Sequence, residues 1–440
     1  MNTDQFAVVS SIFTLGGLLG ALVAGPCCNK YGRLLTMRLT TMFFVIGPIF
    51  ESLAPSISVI SIGRFISGIG AGSSLVVGPI YISEVAPPKE QGFFGALTQI
   101  MINVGILLTQ VLGYFLSRDN LWRIILGVAG CIGLAQLLGL FLVPESPKWL
   151  AEHNHPQEAR DILRRIRGRK EDLEDEVSAW NVDGVTEDTC ISAITPMVIQ
   201  LTAFLAEEES LLSAPSKSKA SSESVGIFGA IMNPKYRPAI IAVVAVMSAQ
   251  QLTGINSIIM YSVSLLSALL PTTAALLTVA LSALNLFTTT LCAPLSDKIG
   301  RKTCILLSIA GMGTSSVLLA LGMSYGVQIL AAIATLLFVA SFAVGLGPVP
   351  FMLANELVGP EAVGATQSWA LAANWIATFI VSQFFPILNK ALGEKGRVYY
   401  VFAGIAAVLG GFIAWWVPET KGKRGADEVW GRKETRDRVE

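Results

Sequence analysis

The residues of this 440-residue chain best placed to do chemistry are amides. Gln99, Asn103, Gln250, Gln251, Asn256, Asn285 and Asn374 all lie inside long apolar runs. A carboxamide in apolar surroundings must be paired or solvated. It both donates and accepts hydrogen bonds, so a group of them suits a ligand that does the same, held without covalent chemistry. Gln250 and Gln251 are adjacent. Asn256 follows at a spacing that brings it only loosely onto their helical face, and Gly254 between them offers a bend. Asn256 and Met260 share a face, and Trp375 follows Asn374 with a flat ring that can stack on a ligand. The other use of such amides is hydrogen bonding between helices.

Covalent and metal chemistry find little support. Cys27, Cys28, Cys131, Cys190, Cys292 and Cys304 are scattered, without zinc-ligand or redox spacing, and read as small buried residues. His153 and His155 sit in a polar stretch and read as solvated. With no nucleophile–base pair and no metal cluster, neither an enzyme nor a cofactor is expected. Lys+Arg and Asp+Glu balance at 31 each, which gives no case for a nucleic-acid partner.

The elements that must position the amides are set by the solvent. Only 14% of residues are charged, against about 25% in soluble domains, so the bulk solvent is the lipid bilayer. Apolar runs near the ~20 residues needed for a span predict eleven helices: Ala7–Gly25, Thr36–Ala54, Ile57–Pro79, Gly95–Phe115, Trp122–Val143, Ala239–Leu265, Thr273–Pro294, Thr303–Met323, Val327–Leu353, Ala365–Leu388 and Val398–Val417. Lipid cannot satisfy a bare backbone, so these runs must be helical. Basic residues cluster after the first and seventh runs, in segment 144–238 and in the tail after Pro418, which places those regions in the cytosol. An odd number of spans then leaves Met1 outside. The predicted organisation is an N-terminal bundle over 1–143, a cytosolic linker over 144–238, a C-terminal bundle over 239–417 and a cytosolic tail over 418–440. Within the linker, Pro156–Arg169 has a helical pattern with a basic end, and 213–224 has a disordered composition.

The two bundles read as a repeat. NKYGR at 29–33 matches DKIGR at 297–301, Glu84 matches Glu356 within a similar context, and Pro144-Glu145-Ser146 matches Pro418-Glu419-Thr420. From Asn29 to Asp297, Glu84 to Glu356 and Glu145 to Glu419 the separations are 268, 272 and 274 residues. Parallel repeats of this kind are a transporter architecture.

These motifs, with GRFISGIGAG at 63–72, PIYISEVAP at 79–87, PESPKWL at 144–150, QQLTGIN at 250–256 and PETKG at 418–422, resemble the sugar porter family of the major facilitator superfamily. The resemblance runs from Ser10 to Gly422. It implies an all-α membrane fold of two homologous helical bundles, alternating access around a central site, and a small-molecule sugar as the partner. By similarity, Gln99, Gln250, Gln251, Asn256, Asn285 and Asn374 match sugar-contacting positions, with Trp375 beside them. Asn29, Lys30, Arg33, Arg64, Glu84, Glu145, Asp297, Arg301, Glu356 and Glu419 resemble the charged latch at the cytosolic helix ends. Its ion pairs favour the outward-open state. The implied function is transport of a hexose-like sugar or polyol across a plasma or vacuolar membrane. The alternative is a sugar sensor or trafficking protein that does not transport.

Four positions depart from the family pattern. The helix that usually precedes Ala7, and carries the acid opposite Arg64 in proton-coupled relatives, is absent, which leaves Arg64 without that partner. Gln91 and Val363 stand where the latch usually has arginines. Phe351 replaces a tryptophan after the Gly-x-Gly-Pro-x-Pro run. The linker is about thirty residues longer than the family pattern, with the excess near Asn181–Ala203. The first and last departures share one explanation, a missed first exon and a retained intron. The acids between Ala7 and Phe115 are Glu51, Glu84 and Glu90, each expected near a helix end, so this form is expected not to couple transport to protons, unlike a full-length form.

Overall fold

The computed structural model describes residues 3–87, 90–118, 120–153, 155–168, 227–260, 274–359, 362–393, 395–423 and 425–431. The stretches 181–203 and 213–224 lie outside the described residues. The chain divides into two compact units, Met1–Glu145 with Ser224–Glu440, and Ser146–Glu223.

In the larger unit the N-terminal half consists of α1 (Thr3–Tyr31), α2 (Arg33–Ser52), α3 (Ile57–Val85), α4 (Gln91–Leu116) and α5 (Trp122–Gly139). In the smaller unit α6 (Pro147–Glu152) starts at Ser146, whose hydroxyl accepts from Trp149 N at 3.3 Å. There α7 (Pro156–Arg167) buries Ala159 and Leu163, with Glu158 in its first turn and Arg164, Arg165 and Arg167 in its last. Those charges complement the helix dipole. The predicted basic-ended helix is therefore present and stops at Gly168, where φ is +89°.

The larger unit resumes with α8 (Ile227–Met232), α9 (Arg237–Leu252), α10 (Ala274–Cys292), α11 (Leu295–Ile299), α12 (Arg301–Ser324), α13 (Gln328–Val344), α14 (Val349–Glu356), α15 (Val363–Ala391), α16 (Val398–Trp416) and α17 (Ala426–Val429). Among the described residues, eleven helical segments are long and apolar enough to cross a membrane. They fall where the apolar runs predicted them. Two of them are interrupted. The chain unwinds after α9 at Thr253–Gly254 and is helical again over 255–260, and the predicted helix Val327–Leu353 breaks at 345–348 between α13 and α14.

Lipid inverts the usual distribution of side-chain size. On α1 the large residues Leu15, Leu19 and Val23, four apart, face outward, while Ala21, Ala24 and Cys28 are buried. Lipid tails are as apolar as leucine, so close packing of small residues, not apolar burial, holds these helices together. The α1–α3 contact shows this directly. Gly16 and Gly20 meet Phe65–Ile69 and Gly68, and a Cβ on Gly72 would lie 1.9 Å from the Gly17 carbonyl oxygen. Glycine here lets two backbones touch.

The repeat is visible in packing: α2 packs on α3 and α5, and α12 packs on α13 and α16. The two halves meet mainly through α1 against α15 and α4 against α10.

Candidate functional site

The break after α9 decides the site. In a continuous helix Gln251 and Asn256 would point about 140° apart. Gly254 adopts φ +99°, a conformation side-chain-bearing residues avoid, and its α-carbon faces the Phe402 ring. The turn brings Asn256 back beside Gln251, and Asn256 Nδ2 donates to Gln251 Oε1 at 2.6 Å and to Thr378 Oγ1 at 3.4 Å. The loose relation expected from sequence is thus a direct bond. Gln251 Nε2 donates to Gln250 Oε1 at 3.1 Å, and Asn374 Nδ2 donates to the same oxygen at 2.6 Å. Gln250 Nε2 in turn donates to the Leu346 and Gly347 carbonyls at 2.6 and 3.2 Å. Those carbonyls are freed by the break between α13 and α14, so one broken helix caps the other.

Gln99 and Asn285 belong to a second group, formed across the two halves. Gln99 Nε2 donates to Asn103 Oδ1 at 3.1 Å, Asn285 Nδ2 donates to the same oxygen at 3.3 Å, and Asn103 Nδ2 donates to Thr289 Oγ1 at 2.9 Å. The groups adjoin at Gly347, where a Cβ would sit 3.5 Å from Gln99 Cγ. Trp375, 7% exposed, lies edge-on to Phe13 with ring centroids 5.8 Å apart and rests on Gly17, where a Cβ would come within 2.5 Å of the indole. Its Nε1–H has no hydrogen-bond partner among the described residues. Gln99 Oε1, Asn256 Oδ1 and Asn374 Oδ1 likewise accept no bond from a described residue.

The sequence reading missed the backbone acceptors at 346 and 347 and the hydroxyls of Thr289 and Thr378. The Gly-x-Gly-Pro-x-Pro run was the available signal for the first. Phe351 is buried in the core of α14, and its carbonyl accepts from Gln367.

The charged motifs form two matching clusters at helix ends. Gly32 and Gly300, with φ +91° and +102°, turn the chain into α2 and α12. The exposed N-termini then donate to carboxylates: Arg33 N and Leu34 N to Glu145 at 3.0 Å, and Arg301 N to Glu419 at 2.8 Å. The Arg33 guanidinium pairs with Glu84 at 2.5 and 2.7 Å, and that of Arg301 pairs with Glu356 at 3.0 Å and Asp297 at 2.9 Å. Each cluster ties helix ends within its own half. Both glutamates therefore keep a guanidinium partner despite Gln91 and Val363.

Arg64 is not among them. It lies in the second turn of α3 while Glu84 is in the last, about 30 Å along the axis. It pairs instead with Glu51 at 3.4 Å. Glu51 is 2% exposed and accepts from Ser67 Oγ at 2.7 Å, so Arg64 has an acidic partner that the sequence reading did not find.

Two packed helical halves with broken helices and polar side chains between them define a membrane carrier of the major facilitator type. The fold matches the proton:xylose symporter XylE bound to 6-bromo-6-deoxy-D-glucose, with a TM-score of 0.76 and 24% identity over 97% of this chain and 89% of that one. It also matches the partially occluded inward-open xylose transporter XylE from E. coli, with a TM-score of 0.73 and 24% identity over 96% and 89%. The chain belongs to the sugar (and other) transporter family, whose model matches residues 2–188 and 205–428. It is 32% identical to the "probable metabolite transport protein" of Saccharomyces cerevisiae over 98% of this chain and 83% of that protein. It is 31% identical to facilitated glucose transporter member 2 of Sus scrofa over 94% and 74%, and 29% identical to vacuolar protein sorting-associated protein 73 of Saccharomyces cerevisiae over 96% and 82%.

Proposed function

We propose that this protein carries a monosaccharide or related polyol across a plasma or vacuolar membrane by alternating access. The observation that carries this reading is the convergence of Gln250, Gln251, Asn256 and Asn374 into one hydrogen-bonded chain, with Trp375 next to Asn374 on α15 and its indole N–H unpaired among the described residues. Buried polar groups are almost always paired. Amide oxygens that accept no bond from a described residue match a ligand whose hydroxyls both donate and accept. Gln250 is the anchor, since its amide nitrogen is committed to backbone. Gln251 and Asn256 are half-buried and bring a ligand against Asn374. Trp375 supplies an apolar face and one donor, while Gln99 and Asn285 close the site from α4 and α10. The glutamate–arginine clusters join helix ends within each half, so that each half moves as a body.

The test is uptake of a monosaccharide and polyol panel by transporter-null cells expressing the chain. Gln251→Ala and Asn256→Ala should each lower uptake about tenfold or more at unchanged membrane expression, because a site built to bond hydroxyls loses discrimination with its donors. Wild-type uptake in both variants would remove the assignment. Similarity to vacuolar protein sorting-associated protein 73 favours a second reading, a sugar-binding sensor or trafficking protein. Saturable sugar binding to the purified chain without uptake selects it.

A further inference from the structure

Asn103 is the amide that the substrate reading leaves over. It lies one turn after Gln99 on α4 and is 1% exposed. An aliphatic side chain would fill that space without a polar group to satisfy. Instead its carboxamide is fully engaged. Oδ1 accepts from Gln99 in its own half and from Asn285 in the other, and Nδ2 donates to Thr289, one turn after Asn285 on α10. Two pairs of residues, each one helical turn apart, thus face each other across the meeting of the two halves.

If joining α4 to α10 were the only task, the bond to Gln99 would be superfluous. That bond has a specific effect. A glutamine side chain has three rotatable bonds, and tying its Nε2 to Asn103 fixes the amide plane and turns Oε1 away as the free acceptor. The bond to Asn285 fixes the second amide in the same way. Gln99 Cγ also lies against Gly347, whose carbonyl accepts from Gln250. The orientation set by Asn103 therefore reaches the Gln250–Asn374 group.

We propose that Asn103 is a positioning residue of the transport site, a clasp between the halves that fixes the amides of Gln99 and Asn285 in the direction that selects one hydroxyl of the sugar. The inference rests on the transport reading above. Asn103 itself acts through its neighbours. Thr289 is part of the same device, because its hydroxyl accepts from Asn103 Nδ2 at 2.9 Å and donates to Asn285 Oδ1 at 3.4 Å, and with the longer Asn103 Nδ2–Asn285 Oδ1 contact of 3.5 Å this keeps the Asn103 amide from turning over.

The experiment uses the full chain in proteoliposomes, with the best-carried monosaccharide of a radiolabelled panel and its monodeoxy analogues. Asn103→Leu preserves volume and removes the amide. It should raise KM about tenfold with maximal rate within about twofold, the signature of lost orientation in the bound complex. At one hydroxyl position the preference for sugar over deoxy analogue should collapse towards unity. Thr289→Val should raise KM about threefold, and Asn103→Leu/Thr289→Val should be no worse than Asn103→Leu, since both act on one device. An unchanged KM, or a lower maximal rate and thermal stability with intact deoxy-sugar discrimination, overturns the proposal and leaves Asn103 as structural. If Asn103→Leu does not fold, Thr289→Val decides by the same readouts. A wild-type chain that carries nothing in the panel removes the transport reading, and the proposal with it, whereas a wild type that transports beside an unaffected variant removes the proposal alone.

Discussion

At the scale of single residues, a polar side chain within the bilayer is defined by its partner. Glu51 and Arg64 show this. The carboxylate is buried and bound by Ser67, while the arginine side chain is 40% exposed. The two are therefore not equivalent under mutation. Arg64→Leu leaves a buried carboxylate with one hydroxyl for company, and Glu51→Gln leaves a guanidinium that water can solvate. Arg64→Leu should lower the melting temperature of the detergent-purified protein more than Glu51→Gln does, and the double variant should recover part of the loss. The reverse order would show that the pair contributes nothing and that Glu51 is held by Ser67 alone.

Individual helices carry the site through their interruptions. A straight helix over 237–260 would separate Gln251 from Asn256, and a straight helix over 328–356 would leave no carbonyl for Gln250. Gly254→Ala places a Cβ at φ +99° and within 2.7 Å of the Phe402 ring. The strain amounts to about 1–3 kcal/mol, relieved by rewinding the break. Uptake should fall at least tenfold with most of the expression retained, and sugar binding measured by quenching of tryptophan fluorescence should weaken in step. Full activity in Gly254→Ala would show that the break is not needed to bring the amides together. The glycines of α1 and α3 act differently, by close approach. At Gly72 a methyl group meets backbone, so Gly72→Ala should cost folding itself.

For the molecule as a whole, transport requires that the halves separate at one end and then the other. At the end carrying the charged clusters, α1 and α15 approach closely. A Cβ on Gly364 would lie 3.2 Å from Asn29 Nδ2, and one on Gly25 2.6 Å from Ser368 Oγ. In a background with Cys27 and Cys28 replaced by serine, Asn29→Cys/Gly364→Cys should form a disulfide on mild oxidation. Uptake should stop and then return on reduction. Undiminished transport by the crosslinked protein would rule out opening at this point. The family match passes over residues 189–204, overlapping the stretch 181–203 singled out by its composition. Deleting Asn181–Ala203 should leave expression, membrane sorting and uptake unchanged, as seen by fluorescence-detected size exclusion and the uptake assay. Loss of expression would make the stretch structural.

The amino-acid sequence determined the spans, the class of protein and the family by itself, because lipid forces any long apolar run into a helix and because the repeated motifs are short and local. The clusters of Arg33 with Glu84 and Glu145, and of Arg301 with Glu356 and Glu419, were legible for the same reason: each uses a glycine turn and a charge at a matched offset. Spacing also picked out the amides, but not how they join. Helical projection assumes an unbroken helix, so it set Asn256 apart from Gln251, ran α13 into α14 and hid the Leu346 and Gly347 carbonyls. The family resemblance placed Arg64 among the charged helix ends with Glu84, although its partner is Glu51 near the end of α2, at the opposite end of α3 from Glu84. Only the tertiary structure made Asn103 the shared partner of Gln99 and Asn285. A hydrogen bond between α4 and α10 depends on which faces meet across the two halves, and no spacing along the chain encodes that.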